Sequence, residues 1–445
     1  MFKRVLIANR GVIARRIARA CRRLRIESVV CHSDLDAQTP AVEEADGAVR
    51  LPGYRVKDTY LNTEQILQAA NDCGADAIHP GYGFLAESHS FSIAVKEAGL
   101  TFIGPSPEWI RRMSTKTEAR DSMRKLGIPV HEGSGLIRDE QCVREFVEQA
   151  GLPIVLKPAA GGGGIGMFVV HYEKEIPTKL KQAQTLAQSG FADDSLYAEK
   201  YLSQPRHIEF QAVADGSNCA ILGARECSIQ RRHQKLIEET PVPGDLDEQS
   251  ATIEPKLTEA IRTYDSVGTV ECLYAEGKFG FLEMNTRLQV EHGVTEEAYD
   301  VDLVAIQMQI SAGGSLDSLD LGSNVPVRHA VEARLYAEDS NRMLPSTGKL
   351  NVFRPVSFDG VRIEAGYRAG NHITPYYDPL LAKIIGTGTS REQAIARTSI
   401  ALKAFEVEGV STNSDLLQYV LGSEPFILGQ VHTGLLEQLH SRFSH

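Results

Sequence analysis

At 445 residues the chain has room for two or three domains, and a hydrophobic content of 42% is that of an ordinary globular protein. A net charge of -11 argues against general nucleic-acid binding, no apolar run is long enough to span a bilayer, and the opening MFKRVLIANRG lacks the parts of a signal peptide. Seven cysteines without a Cys-x-x-Cys pair read as free thiols in a reducing compartment, which points to the cytoplasm.

The chain opens on a buried strand, Arg4 to Asn9, followed by Arg10-Gly11, a helix from Val12 to Leu24 and a second strand from Glu27 to His32. Helical stretches at Glu64 to Cys73 and Ser90 to Ala98 alternate with short strands at Ala77 to His79 and Thr101 to Gly104. Such alternation predicts an open parallel α/β sheet, whose ligands collect at the carboxyl ends of strands, where Asn9-Arg-Gly and His79-Pro-Gly-Tyr-Gly-Phe fall. A helix is expected over Met113 to Gly127. From Pro153 onward strands and turns dominate (Pro153 to Pro158, Met167 to Val170, Tyr197 to Leu202, His207 to Asp215, Cys219 to Ile229), which favours antiparallel sheet, with a helix at Pro255 to Asp265. A last α+β segment begins at about residue 325.

Residues 282 to 292, Leu-Glu-Met-Asn-Thr-Arg-Leu-Gln-Val-Glu-His, carry polar side chains at every odd position. In an extended segment Glu283, Asn285, Arg287, Gln289 and Glu291 would line one face, while Met284, Leu288 and Val290 anchor the other. A solvated strand also alternates, but with outward residues of arbitrary type; here they are two acids, two amides and an arginine. Val270 to Tyr274 and Phe279 to Asn285 flank Ala-Glu-Gly-Lys, a hairpin which, centred on Gly277, sets Glu271 opposite Glu283. Two carboxylates across a ladder repel unless a cation lies between them, and oxygen ligands completed by phosphates suit Mg²⁺ or Mn²⁺ rather than zinc.

Lys157-Pro-Ala-Ala-Gly-Gly-Gly-Gly-Ile-Gly-Met167 is a second motif. Four successive glycines between strands add no packing and free backbone N–H groups to close over an anion. A lone glycine run fits a surface hairpin equally well, and Lys157 in the preceding strand tips the balance towards phosphate. The segment Glu226 to Glu239 is dense in charge, which usually marks a solvated face.

Together these motifs resemble those of the biotin carboxylases, of the ATP-grasp superfamily. The likeness runs from Asn9-Arg-Gly through Gly81-Tyr-Gly-Phe, Lys157 with its glycines, Glu199-Lys-Tyr-Leu, Pro205-Arg-His and Ser228-Ile-Gln-Arg-Arg-His-Gln-Lys to Glu283–His292 and Pro375-Tyr-Tyr-Asp. It implies an α/β and α+β chain with the ATP-grasp fold: an N-terminal open parallel α/β domain over 1–112, an ATP-grasp domain over 113–324 with a mobile lid at about 130–203, and a C-terminal α+β domain over 325–445. It also implies a reaction in which ATP activates bicarbonate as carboxyphosphate and the carboxyl group passes to biotin on a carrier protein.

Carried over by position, the resemblance gives an ATP site of Lys116, Lys157, Glu199, Lys200, Leu202, His207, Gln230 and His233, with Gly163 and Gly164 in the lid. Glu271, Glu283 and Asn285 match metal ligands for Mg²⁺ or Mn²⁺; Lys235, Arg287, Gln289 and Val290 match the bicarbonate pocket, where the planar fork of Arg287 suits a carboxylate-like anion. Glu291 matches the base that takes the bicarbonate proton, Arg334 the arginine that steadies the enolate-like biotin, and Tyr82 a loop near the ureido ring. The joint presence of Lys235, Arg287, Glu291 and Arg334 argues against another ATP-grasp ligase joining a carboxylate to an amine; an inactive regulatory module is the remaining alternative. No Met-Lys-Met biotinylation motif occurs, so carrier and carboxyltransferase are expected on separate chains, with no nucleic-acid or membrane partner. The final acceptor, whether acetyl-CoA, another acyl-CoA, pyruvate or urea, is not written in these motifs.

Three positions depart from the family: Val12 replaces a usual Glu, Ile165 a basic lid residue, and Gly293 the Pro after Glu-His. Loss of the lid cation should weaken closure over ATP. The helix from Arg15 to Arg25 carries six arginines, with Arg23 where an acid is common. In the family this helix lies at the twofold contact of a homodimer, where self-facing arginines repel unless paired. A solvated basic face and a docking patch for an acidic partner are the two readings of it.

Overall fold

The structure is a computed structural model that describes residues 1–159, 166–191, 193–231, 234–322 and 325–443. Gly163, Gly164, Ile165 and His233 lie outside the described residues. At the N-terminus β1 (Arg4–Ile7), β2 (Glu27–His32), β3 (Gly47–Arg50), β4 (Ala77–His79) and β5 (Thr101–Phe102) form an all-parallel sheet in the order β3-β2-β1-β4-β5. The sheet order reverses at β1, and the loops after β1 and β4 carry Asn9-Arg-Gly and the Gly81-Tyr-Gly-Phe turn, as parallel-sheet ligand sites require. Asn9 Nδ2 donates to the Pro80 and Tyr82 carbonyls at 2.6 and 2.8 Å and so fixes one loop to the other.

Helix α1 (Gly11–Leu24) buries Ile13, Ile17 and Cys21 along one stripe and turns out of the helix at Arg25, in the left-handed region at φ 58°. Its arginines are largely neutralised inside the chain. Arg15 and Arg19 share Glu44, Arg16 is buried against Glu296 (2.7 Å) and Asp302 (2.5 Å), and Arg23 reaches Asp302 at 2.6 Å. A bare basic face is therefore not what the helix presents.

The expected helix over Met113 to Gly127 is two helices, Pro107–Ser114 and Lys116–Lys125, broken at Thr115, whose ψ of 114° is extended. A separate four-stranded antiparallel sheet follows: β6 (Gly133–Ile137), β7 (Ile154–Pro158), β8 (Phe168–Val170) and β9 (Leu196–Lys200), in the order β6-β9-β7-β8. Two helices that the strand reading missed, Glu140–Ala150 and Ile176–Phe191, pack on it through Val143, Phe146, Val147, Leu180, Ala183 and Ala187. Their apolar stripe is thin and interrupted by polar residues, so turn and glycine signals outweighed the 3.6-residue period.

An eight-stranded antiparallel sheet forms the centre. It comprises β10 (Arg206–Ala214), β11 (Cys219–Arg231), β12 (Gln234–Thr240), β13 (Val267–Ala275), β14 (Lys278–Asn285) and β15 (His329–Tyr336), extended by strands Leu380–Gly388 and Val361–Ala365. The order places β14, β13, β10, β11, β12 and β15 side by side, so the sheet runs unbroken across residue 325 through the β12–β15 ladder. The expected helix at Pro255 to Asp265 is shorter, Glu254–Ala260. On one sheet face Phe210, Val270, Cys272, Phe281 and Met284 join a buried apolar core. The other face carries the charge.

Candidate active site

Register builds the site. The β13–β14 hairpin turns through Glu276 (φ 52°) and Gly277 (φ 76°), the backbone that a two-residue hairpin loop needs, and sets Glu271 opposite Glu283. Across the next ladder Glu209 pairs with Glu271, so three glutamates stand in a row over three strands. Regular strand ends at Asn285, earlier than the alternation suggested. The chain nevertheless keeps returning to the same side: Gln289 Nε2 donates to Glu271 Oε1 at 2.9 Å, Asn285 Nδ2 to the same oxygen at 2.7 Å, and Arg287 Nη2 to Asn285 Oδ1 at 3.0 Å. Val290 is not an anchor of the opposite face. It is half-buried, lines the cavity, and its carbonyl accepts a 2.6 Å hydrogen bond from Lys383 Nζ.

Lys235 is the hub. Its Nζ lies 2.7 Å from Glu291 Oε1 and 3.0 Å from Glu271 Oε1, and it also donates to Glu209. Arg334 from β15 sits 2.7 Å from Glu291 Oε2 and 2.5 Å from Glu238. Arg225, fully buried, donates to Glu209, Gln211, Thr269 and Thr295. Four buried acids (Glu209, Glu238, Glu271, Glu291) thus face three permanent cations. Burial would raise every acid, but Lys235, Arg334 and Arg225 hold Glu291 well below the ordinary carboxylate range, and Lys235 with His207 does the same for Glu271. The excess falls on the other two: burial together with the Glu291 charge pushes Glu209 up to about 7, and burial together with the charges of Glu332 and Glu291 pushes Glu238 up to about 8. Lys235 and Arg334 stay protonated, the desolvation cost outweighed by their acid neighbours.

A second group lies beside the first. Lys157 and Arg120 both bind Glu199, and Lys116 Nζ is 2.9 Å from Glu283 Oε2. His207 Nε2 is 3.0 Å from Glu271 Oε2, and Gln230 Nε2 lies 3.4 Å from His207 Nδ1. Lys200 departs from expectation: its ammonium is spent on the carbonyls of Ala150 (2.7 Å) and Gly151 (3.2 Å) at the end of helix Glu140–Ala150. Leu202 is half-buried. The densely charged 226–239 stretch is no solvated face, for Glu226, Gln230, Glu238 and Glu239 are buried.

The opposed Glu271 and Glu283 carboxylates, with the Asn285 amide, are an all-oxygen donor set that fits a hard divalent ion. Internal cations already meet their repulsion, Lys116 at Glu283 and Lys235 with His207 at Glu271, so the pair does not depend on a metal to fold.

One cavity of about 650 Å³ gathers Asn9, Tyr82, Lys235, Arg287, Gln289, Val290, Glu291 and Arg334. Sequence reasoning missed several of its supports. Glu209 was within reach, since His207, Glu209 and Gln211 alternate on one strand face. Glu87 was not: from the turn after β4 it accepts Arg287 Nε at 2.7 Å and the Thr286 N–H at 3.1 Å.

Three family models tile the chain: "Biotin carboxylase, N-terminal domain" over 1–110, "Carbamoyl-phosphate synthase L chain, ATP binding domain" over 115–319 and "Biotin carboxylase C-terminal domain" over 332–438. The biotin carboxylase of Halalkalibacterium halodurans is 43% identical over 443 residues, 98% of this chain and 97% of that protein. The chain belongs to the biotin carboxylases. Among solved structures, the biotin carboxylase domain dimer of Hydrogenobacter thermophilus 2-oxoglutarate carboxylase, in complex with MgADP, ADP and bicarbonate, superposes with a TM-score of 0.95 at 38% identity, covering 100% of this chain and 99% of that one. The biotin carboxylase subunit of a pyruvate carboxylase superposes with a TM-score of 0.84 at 37% identity, again covering 100% of this chain and 99% of the other. Family membership carries ATP-dependent ligase chemistry with it. Relatives of nearly equal identity thus bear names with different final acceptors, 2-oxoglutarate and pyruvate. No helix among the described residues is long and apolar enough to cross a membrane.

Proposed function

We propose that the chain carboxylates biotin on a separate carrier domain, with ATP and bicarbonate as co-substrates, and that the Lys235 hub carries the chemistry. The supporting observation is the placement of one buried, ionised carboxylate, Glu291, between Lys235 and Arg334 in a cavity that Arg287 and Gln289 also enter.

Bicarbonate is held by the guanidinium of Arg287, oriented by Glu87 and Asn285, and by Lys235. Glu291 accepts its proton, which frees an oxygen to attack the terminal phosphate of ATP. ADP leaves, and the carboxyphosphate formed gives its carboxyl group to the biotin nitrogen as phosphate departs and takes up the N–H proton. A divalent ion held by Glu271, Glu283 and Asn285 would draw off phosphate charge. Lys116, Lys157, His207 and Gln230 border the nucleotide, with Gly163, Gly164 and His233 completing it, and the 130–203 unit acts as the lid. Arg334 faces the biotin oxygen as negative charge develops there, and Tyr82 flanks the ureido ring. The protein acts as a homodimer that works with a biotin carrier and a carboxyltransferase.

Phosphate release from ATP should require both bicarbonate and free biotin, with carboxybiotin as product. Cleavage that proceeds without biotin, or that turns over with an amine in place of biotin, would overturn the proposal.

A further inference from the structure

The rim of the cavity has its own chemistry. Tyr54 and Tyr376, from the N-terminal and C-terminal parts of the chain, pack ring against ring with centroids 4.8 Å apart, yet remain 43% and 45% exposed. Val56 and Tyr376 line the cavity mouth, so this aromatic pair adjoins the site. Tyr54 is not on a loose loop. The 3₁₀ turn Val56–Asp58 follows it, the Leu61 N–H closes on the Val56 carbonyl at 2.9 Å, and Tyr60 donates to Asp36 at 2.7 Å while stacking on Phe84 at 5.2 Å.

Charge sets the rim apart as well. Arg55, 5.8 Å above the Tyr54 ring, and Lys57 are exposed, and neither forms an ion pair among the described residues. Nearby arginines do pair: Arg10 with Asp36, Arg50 with Asp34 and Arg368 with Glu43. Two exposed tyrosines beside an unpaired arginine are residue types enriched at interfaces, and the unpaired Lys57 adds positive charge that an acidic partner would meet. A tethered substrate that enters the cavity must bring its carrier's surface against this rim.

We propose that Tyr54, Arg55, Lys57 and Tyr376 form the docking surface for the biotin-bearing carrier domain, which meets them with an acidic face beside its biotinyl-lysine. The inference rests on the reading of the cavity as the biotin site.

Free biotin bypasses docking, and that separates the two readings. Tyr54→Ala and the double variant Arg55→Glu/Lys57→Glu are assayed with free biotin and with the biotinylated carrier domain purified from the source cells. With carrier, kcat/KM should fall by about fivefold or more, through KM, while free-biotin turnover stays at the parent level. The parent's KM for carrier should rise with salt, and that of the charge-reversed variant should respond less. An unchanged carrier KM in both variants overturns the proposal. So does an equal loss with free biotin, which would place the rim in the catalytic site or the fold, or a changed sedimentation mass, which would assign it to a contact between copies. A parent enzyme that ignores free biotin refutes the biotin site itself.

Discussion

Glu291→Gln tests the charge balance and the chemistry in one side chain. The substitution keeps the shape and removes one negative charge from between Lys235 and Arg334, each 2.7 Å away. Removing one partner of a buried ion pair costs about 3–5 kcal/mol when the orphaned charge finds nothing else. Here both cations keep partners: Lys235 retains Glu209 and Glu271, and Arg334 retains Glu238 at 2.5 Å. The Glu291 charge is also one of the causes, after burial, that push Glu209 up to about 7 and Glu238 up to about 8. Without it both carboxyls ionise more readily at neutral pH and take up the released positive charge. The stability loss should therefore stay below about 3 kcal/mol.

ATP affinity should be preserved, because Lys116, Lys157 and Glu199 are untouched. Bicarbonate-dependent ATP cleavage should fall by about 10²-fold or more, the usual loss for a general base, equivalent to roughly 2.7 kcal/mol on the barrier. Phosphate release at saturating biotin, calorimetric ATP titration and thermal melting read the three quantities separately. Near-normal turnover refutes the role of Glu291. A melt that falls by the full orphaned-charge cost refutes the redistribution over Glu209 and Glu238.

Three further outcomes are expected. Glu283→Gln should raise the Mg²⁺ concentration needed for half-maximal activity by about tenfold or more while freeing Lys116 from its 2.9 Å partner; unchanged Mg²⁺ dependence counts against the metal assignment. Gly293→Ala should destabilise by about 1–3 kcal/mol in denaturant melts, since its Cβ would stand 2.5 Å from Ile385 Cδ1, and Ile385→Val should recover part of that loss in the double variant; strict additivity refutes the contact. His79 is buried with its Nδ1 accepting the Gly81 N–H at 3.1 Å, and burial pushes its pKa from 6.5 down to about 3. The unfolded chain takes up that proton first, so the His79 contribution to stability is complete above about pH 6.5 and is lost as pH falls towards 3. His79→Asn should flatten the melting temperature over that window relative to the parent, and an identical acid slope in both proteins refutes it.

What could be read from sequence was what local periodicity and turn chemistry encode. The two-residue period and Gly277 together place Glu271 against Glu283, and the parallel sheet follows from alternating strands and helices with Asn9 at a strand end. The helices Glu140–Ala150 and Ile176–Phe191 were hidden by a weak apolar stripe beside a conspicuous glycine run. Glu87, Arg225 and Lys383 were beyond reach for another reason. Each acts on a residue far away in the chain, Glu87 on Arg287, Arg225 on Thr295 and Lys383 on Val290, and a charged side chain looks the same in sequence whether it is solvated or buried.

That limit bears directly on the catalytic centre. Glu291 stays ionised in a fully buried position because Lys235 reaches it from β12 and Arg334 from β15, with Arg225 of β11 behind them, and the division near residue 325 assigns Arg334 to a different segment from the other two. The antiparallel ladder between β12 and β15, in which Glu238 pairs with Glu332, sets Arg334 on the face of Glu238, and the register shift from Ile229–Ile237 to Gln230–Lys235 on the other side of β12 lets Lys235 reach the same Glu291 carboxylate. Both segments contribute: with Lys235 gone Glu209, Glu271 and Glu291 lose their shared partner, and with Arg334 gone Glu238 and Glu291 lose the guanidinium between them. The proton-accepting state of the site is therefore a property of the joined sheet, set by a register that no single stretch of sequence contains.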